Sequence, residues 1–186
     1  NNTIDAFSTP ALENGAPQSL VYLAALTHSD NVDDAEKLMA KYRTNAAGAA
    51  TLADKDGGLM TIEYHSDGFK RIDAKDGYIV HTNHPIDFEQ ELADTLTGGD
   101  LNEFNAMAAQ TVGRLEFAQS FMKWDIERSA GSVQALFKSR PVLLAPTATN
   151  SFITGTANVS DINAGCMYAT PYRPDLTNFV EICFDK

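Results

Sequence analysis

The chain has 186 residues, 44% of them hydrophobic and 21% charged, with a formal net charge of -11. That is long enough for one domain with a substantial core, and the composition is that of a globular protein rather than a disordered one. The acidic balance argues against a nucleic-acid partner, which needs a clustered cationic face, and no apolar run approaches the roughly 18 residues of a membrane span.

The chain opens Asn1-Asn2-Thr3-Ile4, without Met, a basic n-region or an apolar h-region. It starts on what reads as a strand already under way, so the expectation is a processed, nicked or partial chain. Pro17 suits a first helical turn, and Leu20, Leu23 and Leu26 follow at helical spacing. A second helix is predicted from about Val32 to Tyr42. Asn31 is its cap, acids fill its first turn, and Val32, Ala35, Leu38, Met39 and Tyr42 form one stripe. The short link His28-Ser29-Asp30 suggests an antiparallel helical pair. Lys37, Lys41 and Arg43 cluster there, but Asp33, Asp34 and Glu36 stand beside them, as on a solvated helix face.

The texture then turns to sheet. Ala46 to Ala53 is small and apolar, and Asp54-Lys55-Asp56-Gly57-Gly58 is a turn. In Leu59 to His65, Met60, Ile62 and Tyr64 face one way, Thr61 and Glu63 the other. Ser66-Asp67-Gly68 is a hairpin signal into Phe69 to Asp73, and Lys75-Asp76-Gly77 turns again into a strand at Tyr78 to His81. Residues 87 to 140 read as mostly helical, with Leu115, Ala118, Phe121 and Met122 as a stripe and a break at Ala130-Gly131. Strands return at Ser151 to Ala157, Ala164 to Ala169 and Asn178 to Phe184. Cys166 and Cys183 fall in the last two, where a buried inert thiol is the default reading and a pairing stays open. The order predicts one α+β layered domain over residues 1–186.

Chemistry concentrates at His81-Thr82-Asn83-His84-Pro85, at the end of a predicted strand and just before a loop. Polar groups held there by a sheet can converge on a ligand, and an Asn amide can donate to a developing oxyanion without titrating. The plainer reading makes Asn83 the cap of a turn before Pro85 and the two histidines surface groups. On a strand, His81 and His84 point to opposite faces, so no shared metal ion is expected, and no cofactor is implied. Asp33 with Asp34, and Glu89 with Glu91, are paired carboxylates that nothing brings across a cleft. Gly57-Gly58 and Gly98-Gly99 are plain turns rather than a phosphate loop. Arg114, at the start of an amphipathic stretch, reads as a surface ion pair with Glu116 or Asp125.

Preceded by Asp76-Gly77-Tyr78-Ile79-Val80, this segment resembles the "DG-x-h-V-H-T-N-H" segment of the acyl-coenzyme A:isopenicillin N acyltransferase family. Thr82-Asn83-His84-Pro85-Ile86-Asp87-Phe88 is similar, more distantly, to a segment of choloylglycine hydrolases and penicillin V acylases. Gly15-Ala16-Pro17 resembles the acyltransferases' "G-V-P", Gly58 to Tyr64 their "A-x-x-h-E-h" strand, and Arg114-Leu115-Glu116-Phe117 their "R-M-E-F-L".

These families share the N-terminal-nucleophile hydrolase fold. The resemblance therefore implies an αββα layered sandwich of antiparallel sheets, incomplete without an upstream segment. It also implies autoproteolytic processing that exposes an N-terminal cysteine, whose own α-amine acts as base in acyl transfer from an amide or thioester. On the matching positions, Asn83 would support the nucleophile or oxyanion, Asn2 would help form the oxyanion hole, Arg114 would flank the nucleophile, and Thr82 and His84 would bind substrate. Asn1 is not a cysteine, and Cys166 and Cys183 are internal. The implied partners are thus an upstream segment or companion chain that carries the cysteine, giving a heterodimer, and a small acylated amide substrate. Ser139-Arg140-Pro141-Val142 has no clear match to the family's "S-I-C-R". The alternative is a non-catalytic domain of the same fold that binds a small amide; a metal hydrolase on His81 and His84 is the third reading.

Overall fold

The computed structural model describes residues 2–3, 15–42, 44–45, 47–65, 68–87, 98–124, 127–144 and 154–184. It has helices and two antiparallel sheets, an α+β protein. The chain divides into two compact units, Asn1–Val112 and Gly113–Lys186, and each is described by itself.

The first unit contains strand β1 (Asn2–Thr3), helices α1 (Gln18–His28) and α2 (Val32–Lys41), and strands β2 (Gly48–Ala53), β3 (Leu59–His65) and β4 (Gly68–Asp73). Helix α2 starts where its sequence dictates. The Asn31 side chain accepts from the Asp34 amide at 2.9 Å, two acids sit in the first turn, and Val32, Ala35 and Met39 turn inward. Helix α1 differs from expectation. Its stripe of Leu20, Leu23 and Leu26 faces outward, and the buried residues are Val21 and Ala25. This helix is apolar nearly all round, so periodicity does not choose its inner face; the smaller Val21 and Ala25 permit the closer approach.

The four strands pair antiparallel in the order β1-β2-β3-β4. Directly opposed residues share a face, so the register divides the sheet cleanly. Ala50, Met60, Ile62 and Tyr64 pack with Val21, Ala25, Val32, Ala35 and Met39 into one core under the two helices. Gly48 sits in a tight place there. A Cβ would stand 2.5 Å from Gln18 Nε2 and 2.6 Å from Tyr64 Oη, where those two side chains hydrogen-bond across the strand. The β2–β3 turn is tied to α2 through Asp54, whose carboxylate accepts from the Gly58 amide at 2.8 Å and the Val32 amide at 3.0 Å.

Thr61 and Glu63, on the opposite face of β3, are fully buried as well. The alternation in Leu59 to His65 is correct, but its polar side is covered rather than solvated. The expected strand at Tyr78 to His81 reduces to an isolated bridge between Lys75 and Tyr78; residues 79–87 continue as irregular chain. The histidines are not surface groups: His84 is buried, and so is the His81 ring. Ser66, Asp67 and the pair Glu89 and Glu91 lie outside the described residues.

Helix α3 (Gly98–Lys123) runs through the unit boundary. In the second unit, α4 (Ala130–Lys138) opens with a reciprocal cap between Ser129 and Ser132. Strands β5 (Asn158–Asp161), β6 (Cys166–Ala169) and β7 (Val180–Cys183) form a three-stranded antiparallel sheet. The first of these starts after the predicted Ser151 to Ala157, of which residues 151–153 are not described and 154–157 are not strand. Cys166 and Cys183 stand directly opposite in β6 and β7 and form a disulfide. The default of two inert buried thiols is overturned. Neighbouring antiparallel strands bring opposed side chains within bonding reach, and neither cysteine is buried.

Candidate functional site

The site begins with a row across the first sheet. Asn2 pairs with Ala49, Ala49 with Glu63, and Glu63 with Lys70. Ala49, Glu63 and Lys70 lie on the face opposite the helices. A charged carboxylate at the centre of the row, removed from water, needs donors. Residues 81–87 supply them.

The His81 ring meets Glu63 Oε1 at 2.7 Å through Nε2. The Ile86 amide donates to the same oxygen, and the Asp87 amide donates to Oε2 at 2.8 Å. Lys70, next in the row, donates from Nζ to the Asp87 carbonyl at 2.8 Å. One buried side chain thus holds the segment at both ends. Burial pushes the Glu63 carboxyl up, but the hydrogen bonds from His81, Ile86 and Asp87, with the charge of the His81 ring, outweigh it and hold the group below its ordinary value. It stays ionised at neutral pH.

The middle of the segment is fixed to α3. Thr82 Oγ1 donates to the Thr111 carbonyl at 3.1 Å. His84 Nδ1 lies 2.6 Å from Thr111 Oγ1 and 3.1 Å from Thr82 Oγ1. The single hydroxyl proton of Thr82 goes to the Thr111 carbonyl, which leaves a Thr82 lone pair to receive an Nδ1–H of His84. Asn83 stands between these two anchored residues and is half-buried. Its neighbours on both sides are fixed, so its position is set by hydrogen bonds rather than by a flexible loop.

Of the residues singled out from sequence, Thr82, Asn83 and His84 are together in this segment, and Asn2 is in the same sheet row as the carboxylate that anchors it. Thr82 Oγ1 and His84 Nδ1 bond to each other and to Thr111. Arg114 falls in the second unit, partly buried, where loss of water lowers the pKa of its guanidinium. It is not the solvated surface cation that its sequence neighbourhood suggests. His81 Nε2 meets Glu63, and His84 Nδ1 meets Thr111 and Thr82. Among the described residues the one group with metal-ligand proximity is Cys166, Glu181 and Cys183, and its two sulfurs are bonded to each other.

Sequence reasoning passed over Glu63, Lys70 and Thr111. For Glu63 a signal existed: one acid inside the run Leu59-Met60-Thr61-Ile62-Glu63-Tyr64, a strand otherwise suited to burial. Lys70 and Thr111 carry none, because each meets residues 82–87 only through a fold that brings stretches distant in sequence together.

No curated protein and no solved structure matches this chain. The sequence model of one family, described as acyl-coenzyme A:6-aminopenicillanic acid acyl-transferase, matches residues 3–124, more than half of the chain, and it spans both Asn83 and Arg114. The chain belongs to the acyl-coenzyme A:6-aminopenicillanic acid acyl-transferase family.

Proposed function

We propose that this chain is the larger part of an N-terminal-nucleophile amide hydrolase or acyltransferase, completed by a cysteine from an upstream segment or companion chain. Family membership supports acyltransferase- or amidase-type activity. The observation that carries the finer reading is the anchored segment His81–Asp87, which presents a carboxamide from a rigid support beside the sheet row that contains Asn2. In the proposed reaction, the cysteine's own α-amine takes the thiol proton and the sulfur attacks a substrate carbonyl carbon. The carbonyl electron pair moves to oxygen, and Asn83 donates a hydrogen bond to that oxyanion, with Asn2 as a second donor. Collapse breaks the C–N bond of an amide or the C–S bond of a thioester, and the leaving group takes the proton from the α-ammonium. Water or an amine then attacks the acyl-enzyme and restores the thiol. Arg114 is assigned to the nucleophile's surroundings, and Thr82 and His84 to the substrate side of Asn83. The layered αββα sandwich, the processing step and the two-chain form belong to the same proposal.

Both cysteines of this chain are in a disulfide, so a thiol label has no target here without reductant. Intact-mass analysis of the native protein is expected to find a polypeptide that begins with Cys. Iodoacetamide is expected to label that residue and abolish turnover of an acyl-coenzyme A thioester or an N-acyl p-nitroanilide. An upstream polypeptide with no Cys, Ser or Thr at its start would overturn this reading in favour of a non-catalytic amide-binding domain.

A further inference from the structure

Glu63 is a fully buried carboxylate of the first unit's sheet. Its hydrogen bonds that organise the site go to the segment that carries Asn83: the His81 ring on one side, the Ile86 and Asp87 amides on the other. The neutral isostere cannot reproduce this arrangement. A glutamine places an NH2 where at least one of those donors points, so donor faces donor in a site without water.

We infer that Glu63, in its ionised form, is the positioning residue that sets Asn83 for the chemistry. The inference rests on the proposed function for its catalytic consequence but not for its structural one. Lys70 contributes from the neighbouring strand by holding the Asp87 carbonyl. The carboxylate acts through residues 81–87. It fixes where the Asn83 carboxamide lies, and a displacement of about 1 Å in such a group costs on the order of a hundredfold in rate.

The test uses the complete protein with its asparagines labelled in nitrogen-15. The Asn83 side-chain resonance is assigned by its disappearance in Asn83→Asp. In Glu63→Gln that resonance is expected to shift, and exchange of the Ile86 and Asp87 amides to accelerate by at least about tenfold, which is the loss of protection a broken hydrogen bond produces. With an N-acyl p-nitroanilide as probe, kcat falls about ten- to a hundredfold while KM stays within about threefold, because only the transition-state contact is misplaced. His81→Phe, which removes one of the hydrogen-bond partners and leaves the Glu63 carboxylate in place, gives a smaller change in the same direction and serves if Glu63→Gln fails to fold. An unmoved Asn83 resonance with unchanged amide exchange in a folded variant overturns the inference. A moved resonance with no loss of probe turnover upholds the positioning and overturns the catalytic assignment of Asn83 instead.

Discussion

The carboxylate of Glu63 and the ring of His81 meet at 2.7 Å across 18 residues of sequence, both side chains out of contact with water. The pair joins the middle of a sheet to the start of an irregular segment. Breaking one side of a buried pair strands the other, so the effect of a mutation here exceeds that of an exposed ion pair.

The pH dependence follows from the direction of the Glu63 shift. Its folded pKa lies below the ordinary value of 4.5, so the stability it contributes is fully present above that value and is lost as pH falls through the lower folded one. Denaturant titrations at neutral pH and in acid should show wild type losing more stability on acidification than Glu63→Gln. At neutral pH Glu63→Gln should be less stable by about 1–3 kcal/mol, the cost of unsatisfied buried donors. Equal acid slopes for the two proteins would contradict the depressed pKa.

Asn83→Ala should fold normally and lower kcat of the complete enzyme by about a hundred- to a thousandfold, the usual effect of deleting one oxyanion donor. Asn83→Asp should be no better, since a carboxylate offers no donor to an oxyanion. Thermal melts run beside the kinetics separate this from a folding defect. A fully active, folded Asn83→Ala would remove Asn83 from the reaction.

Gly48→Ala is expected to destabilise the first unit by about 1–3 kcal/mol, because the added methyl meets Gln18 and Tyr64 in a packed layer. The double variant Gln18→Ala/Gly48→Ala should recover part of the loss. Urea midpoints for the four proteins of the cycle measure it, and additive losses would mean that the clash is not the cause.

The bond between Cys166 and Cys183 closes a loop with a sequence separation of 17, which corresponds to about 3 kcal/mol of restraint on the unfolded chain. Cys166→Ser/Cys183→Ser should therefore lower the unfolding midpoint of the second unit and leave amide exchange in the first unit unchanged. Exchange followed by mass spectrometry resolves the two.

Much of the first unit is legible because its signals are local. Asn31 caps α2 from within one turn, and the alternation from Met60 to Tyr64 marks β3 without reference to any partner. Other features need information that lies elsewhere in the chain. Whether Glu63 faces water depends on a covering segment that is irregular and carries no periodicity of its own. Val21 and Ala25 displace the leucines of α1 from the core for a reason of fit rather than hydrophobicity. Asn83 is singled out by its motif, while Glu63, whose carboxylate binds His81, Ile86 and Asp87, reads as the polar half of an alternating strand. The cysteine pair was undecided because a bond depends on register, and register between β6 and β7 is not written in either strand alone.

A span whose first residue and last two residues hook onto the same pair of oxygen atoms works as a ruler. From His81 to Asp87 no residue can be inserted or deleted without releasing one end, so diversification of this locus should proceed by exchanging side chains at a fixed length. Variation in reach toward different acyl groups would then arise in other parts of the molecule, and alignments of kindred sequences should show their gaps outside this stretch.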